Sequence, residues 1–151
     1  MSGGWSTRWD ALVEFLVPVA ISEPDERARA RFTVTGWLMG IPLISTFSVL
    51  YFLNQLWGQL ALQVFTVMSG TLLLWFLRRT GRVKLVQQVS LGVFTVSFGL
   101  GGIAQTPADP SSVYFLVVVP LLAAFLLSLR AAWLWMAVSL VVGVVLLQLG
   151  Q

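Results

Sequence analysis

Charged positions along this chain come in tight groups separated by long stretches that carry none. No Asp, Glu, Lys or Arg occurs from 32 to 77, from 85 to 108, from 110 to 129 or from 131 to 151. A membrane span needs roughly 20 apolar residues to cross about 30 Å of hydrocarbon. The first stretch is about twice that, about 69 Å as one helix, so it predicts two spans joined at the polar hairpin Asn54-Gln55-Leu56-Trp57-Gly58-Gln59. Each of the other stretches suits one span. The expected fold is therefore all-α, a polytopic transmembrane helical bundle of five spans at about 32–54, 60–77, 85–103, 111–129 and 131–149. The boundary at Arg130 carries no Gly or Pro. It is placed there because one helix from 110 to 151 would be about 60 Å long.

Ahead of these, Trp5, Trp9, Leu12, Val13 and Leu16 fall within one arc at helical spacing, with Asp10 and Glu14 opposite. The segment is too short to span. It fits an amphipathic helix lying among lipid headgroups, or a cap packed against the ends of the other helices. Residues 1–22 thus form an N-terminal interfacial segment and 23–151 the transmembrane domain. At their border, Ser22-Glu23-Pro24-Asp25 has the character of a helix start, with Ser22 as cap and acids in the first turn. One helix from 23 to 54 is expected, cytoplasmic at its start and embedded from Phe32 onward.

Composition supports the same class. The chain is 58% hydrophobic and 10% charged, with a mean hydropathy of +0.89, whereas a soluble domain carries about 25% charged residues. The net charge of +3 does not indicate a nucleic-acid partner, because the basic residues flank apolar runs as membrane anchors do. Arg27, Arg29 and Arg31 precede the first span, Arg78, Arg79, Arg82 and Lys84 follow the second, and Arg130 follows the fourth. These are alternate loops, so the positive-inside rule puts them and the N-terminus in the cytoplasm. Five spans then put Gln151 on the other side. The first apolar run follows several charges and lacks a small-residue cleavage site, so no cleaved leader is expected.

Candidate chemistry is sparse. His and Cys are absent, which removes thiol nucleophiles, Ser-His-Asp catalysis and most metal ligation. No carboxylate lies inside an expected span, where a proton relay would need one, and no span carries a Lys for a retinal Schiff base. No enzymatic activity and no cofactor are expected. The polar residues inside the spans are Ser, Thr and Gln, which can bond between helices at about 0.6 kcal/mol on average. Gln63 and Gln87 would line a small polar pocket if one exists. Gly36-x-x-x-Gly40 and Ser97-x-x-x-Gly101 have the small-residue spacing that lets helices approach closely. Pro42 and Pro120 each remove a backbone donor within a span. Trp57, Trp75 and Trp133 sit at expected interfaces, with Trp37 and Trp135 as further candidates.

Pro24-Asp25-Glu26-Arg27-Ala28-Arg29-Ala30-Arg31 before the first span, Arg78-Arg79-Thr80-Gly81 after the second, Gly101-Gly102 with Pro107 after the third, and Pro120-Leu121-Leu122 in the fourth form a short-motif pattern over about residues 20 to 150. It resembles the N-terminal membrane module of bacterial sensor histidine kinases, which also precedes nucleotide cyclases. The resemblance implies a sensory module in the bacterial inner membrane that passes a packing change to an effector. In that family a sixth span commonly leads to a dimeric helix with the phospho-acceptor His, and neither lies within the 151 residues. The resemblance thus leaves two expectations open: the 151 residues belong to a longer sensor, or the module docks onto a partner beyond the lipid bilayer, a second copy or a membrane or cytoplasmic signalling protein. Competing expectations are an assembly subunit of a membrane complex and a small transporter or channel subunit.

Overall fold

A computed structural model describes residues 4–104 and 111–149. They form α1 (Gly4–Leu16), α2 (Pro24–Leu53), α3 (Trp57–Thr80), α4 (Val83–Ala104), α5 (Ser111–Leu126) and α6 (Leu129–Leu149). Among the described residues there is no strand. The fold is a helical bundle. Its helices have the make-up of a membrane protein, and α2, α3 and α4 are long and apolar enough to cross a membrane. The fourth expected span falls short of that length: α5 has 16 residues, about 24 Å, because the chain turns three residues before the position expected for it.

Each turn has a local cause. Pro24 stands at the start of α2, where its fixed φ suits a helix and its missing N–H costs nothing. Glu23 is therefore the cap residue, in an extended conformation and without a side-chain cap bond; the cap expected at Ser22 lies one residue too early. At the other end of α2, Gln55 adopts φ 58°, its N–H bonds to the Phe52 carbonyl, and that of Leu56 reaches Tyr51. This is the Schellman arrangement with a glutamine in the left-handed position. Gly81 closes α3 in the same region, at φ 66°, donating to the Leu77 carbonyl. Arg78 and Arg79 occupy the last turn of α3, where the helix dipole favours cations. Between α5 and α6 the signal is Ser128, whose Oγ accepts from the Ala131 N–H at 3.2 Å, an N-cap that a search for Gly or Pro passes over.

Helix α4 is central, packing on α2, α3, α5 and α6. Of its most apolar stretch 44% is buried, against 6% for α2 and 22% for α3. One core joins Val13, Val17 and Ile21 to Ala30, Val34 and Trp37 of α2, Leu74 and Leu77 of α3, and Val83 and Val86 of α4. A second joins Leu91 of α4 to Val119 and Ala123 of α5. The outer surface is covered in large apolar side chains, among them Met39, Leu43, Met68, Leu72, Leu134 and Leu140. Helices α2 and α5 continue through Pro42 and Pro120.

Helix α1 packs on α2 and α3, as the cap alternative requires, while Leu12 and Phe15 stay exposed as the interfacial alternative requires. Both readings describe one side of it each.

Candidate functional site: a polar seam along α4

Polar side chains that read as scattered in sequence meet along α4. Gln87, fully buried, donates through Nε2 to the Thr33 hydroxyl of α2 at 3.0 Å. Thr33 in turn donates to the Arg29 carbonyl at 2.9 Å. One turn further, the buried Trp37 donates its indole N–H to Ser90 Oγ at 2.9 Å and stacks on Phe94 at a centroid distance of 5.1 Å. Trp37 is thus a core residue, and the interfacial position expected for it is corrected: Gly70 on α3 leaves the space that the indole fills. A Cβ built at Gly70 would overlap the Cε3–Cζ3 edge of that ring. Towards the other end, Thr66 and Ser97 share a hydrogen bond of 2.7 Å, and Gln59 donates to the Gly101 carbonyl at 3.0 Å. No family model, curated protein or solved structure matches this chain.

The residues singled out in sequence divide accordingly. Ser97 and Gly101 both lie in the α3–α4 contact, so that small-residue pair serves packing inside the bundle. Gly36 and Gly40 do not: a Cβ at either would meet nothing within 4 Å. Gln63 and Gln87 are not brought together. The Thr66–Ser97 and Gln59–Gly101 bonds put Gln63 level with about position 99 of α4, about 18 Å along the axis from Gln87. The Oε1 of Gln87 is buried without a hydrogen-bond partner, as is Ser139 Oγ on α6. Thr33, Thr66, Ser139 and Gly70 were not among the residues that the sequence singled out. Trp57, Trp75 and Trp133 are exposed, at 58% or more, while Trp135 packs partly buried in the α4–α5 cluster.

One end of the bundle gathers the basic groups. Arg27 of α2 pairs with Glu14 of α1, and Arg31 reaches Glu14 at 3.2 Å and Asp10 at 3.7 Å. Arg78 lies over the Phe15 ring, 3.6 Å from its centroid. Arg29 donates to the free Leu127 carbonyl beyond α5 at 3.3 Å. Arg27, Arg29 and Arg31, the 78–84 group and the 127–130 turn therefore meet at the same end, with α1 laid across two of them. Charge repulsion among these cations is offset by the α1 acids, but the pairs are about a third to two thirds exposed, so each contributes at most about 1 kcal/mol.

Arranged this way, the seam joins helices and holds them in register. Its bonds are hydroxyl and amide bonds of modest strength, with the Gln87 Oε1 acceptor left open.

Proposed function

We propose that the protein is a sensory or regulatory module of the bacterial inner membrane, crossing it five times with the N-terminus in the cytoplasm, and passing a change in helix packing to a partner. What carries the reading is the connection of the polar seam to α1. The Thr33–Gln87 and Trp37–Ser90 bonds sit on α2 immediately beyond Arg27 and Arg31, which hold α1. A displacement of α2 against α4 would move the clasped helix at the surface. The basic groups at one end support the cytoplasmic assignment, and the outward Gly36 and Gly40 leave room for a second copy.

Topology is tested by reporter fusions after Gln151 and within 78–84, which should report opposite sides of the membrane; both on the cytoplasmic side would end the five-span reading. Function is tested by energy transfer between two tagged copies in membranes. Gly36→Leu or Gly40→Leu should lower it while insertion survives, because Leu is compatible with lipid but blocks close approach. Unchanged transfer would remove α2 as the interface, and solute movement by the purified protein in liposomes would replace the sensory reading with transport.

A further inference from the structure

The turn between α3 and α4 holds more positive charge than the protein neutralises. Asp10 and Glu14 are committed to Arg27 and Arg31. Arg78, Arg79, Arg82 and Lys84 have no carboxylate within ion-pair distance among the described residues, and all four are exposed. Their setting is amphipathic. The Arg78 guanidinium lies over the Phe15 ring at 3.6 Å and that of Arg79 over Trp75 at 5.5 Å, contacts that leave N–H groups available to an anion. Around them stand exposed apolar groups: Leu12 at 44%, Phe15 at 58%, Val19 at 91% and Trp75 at 58%. The 17–21 segment holds the turn in place, since Val17 and Ile21 share a core with Val83.

Four cations without a carboxylate partner, two of them lying over exposed aromatic rings, match one ligand chemistry: a phosphate anion attached to acyl chains. We propose that this turn and the exposed face of α1 form a binding site for the headgroup of an anionic phospholipid. Its phosphate is held by Arg78, Arg79, Arg82 and Lys84, and its chains lie against Phe15, Leu12 and Trp75. The site explains why α1 keeps Leu12 and Phe15 outward while its acids turn towards α2: the lipid covers the outward face. The inference rests on the reading that α2, α3 and α4 cross a bilayer.

That reading is checked first and separately, by retention of the full chain in membranes after alkaline carbonate extraction. Native mass spectrometry of the purified protein, titrated with phosphatidylglycerol and with phosphatidylcholine of the same chains, then tests the site. Phosphatidylglycerol should bind at least about tenfold tighter, with about fivefold lost for each cation neutralised. The exposed-residue variant Arg79→Gln/Arg82→Gln/Lys84→Gln, with helicity unchanged by circular dichroism, should lose the preference. Arg130→Gln, at the same end but beside α6, should keep it, and excess inorganic phosphate should not displace the lipid. Equal binding of the two lipids, an equal loss in Arg130→Gln, or displacement by free phosphate would each overturn the proposal.

Discussion

Replacing Gly70 by Ala tests the centre of the bundle with a single methyl group. The added Cβ would overlap the Cε3–Cζ3 edge of the Trp37 indole, and the indole is held elsewhere by Phe94, stacked at 5.1 Å, and by the 2.9 Å bond to Ser90. Two responses are open. If α2 and α3 separate around a fixed ring, overpacking costs about 1–3 kcal/mol. If the ring swings away, the stack, about 0.5–1.5 kcal/mol, and a bond of about 0.6 kcal/mol are lost. The cheaper route sets the cost at about 1–2 kcal/mol, a factor of about 5 to 30 in the folded-to-unfolded ratio. Unfolding in mixed detergent micelles, followed by circular dichroism, measures it. Gly36→Ala is the control, because its Cβ meets nothing within 4 Å, and it should leave stability unchanged or raise it by up to about 1 kcal/mol through helix propensity. In a Trp37→Leu background, Gly70→Ala should lose most of its cost, a coupling that a double-mutant cycle isolates. Equal stability of Gly70→Ala and wild type, or an undiminished cost beside Leu at 37, would refute the account of Gly70 as the seat of Trp37.

Other substitutions read other parts of the structure. Gln87→Met should cost about 1 kcal/mol or less, since it removes the bond to Thr33 and a long one to the Arg29 carbonyl but also an unpartnered buried oxygen; Gln87→Glu should reduce the yield of folded protein sharply by burying a charge. Gln55→Gly should raise thermal stability by about 1 kcal/mol by relieving a left-handed residue that is not glycine, whereas Gly81→Ala should lower it by about 1–2 kcal/mol for the same reason reversed. Glu14→Gln should change global stability by less than about 1 kcal/mol yet speed protease cleavage near residues 17–23, because it removes two of the three ion pairs that clasp α1.

The helical class and the clustering of basic groups were legible because both depend on local properties: charge-free length, turn residues and the periodicity of α1. The start of α2 was legible to within one residue for the same reason. The interior of the bundle was not. Gly36-x-x-x-Gly40 carries the recognisable spacing, yet Gly70, which carries none, is the glycine that accommodates a partner, because its role depends on an indole 33 positions away in sequence. Polar residues in the apolar runs were visible, but each of the first three spans offers several Ser, Thr or Gln. Only the relative depth and rotation of the helices decide that Gln87 meets Thr33 and that Gln63 lies about 18 Å away. The α5–α6 turn was misplaced by a few residues because Ser128 signals a helix start through its cap bond, a weaker mark in sequence than Gly or Pro.

The contact from Arg29 to the Leu127 carbonyl joins residues 98 positions apart, and this has a consequence for assembly on the ribosome. At about 5–20 residues per second, Leu127 emerges about 5 to 20 seconds after Arg29. Through that interval the start of α2 can take up its bonds to α1 and then to α4, but the carbonyl that Arg29 finally caps has not been made. The Arg29–Leu127 bond can therefore form only once the α5–α6 turn has been synthesised, after the contacts of α2 with α1 and α4 have become available.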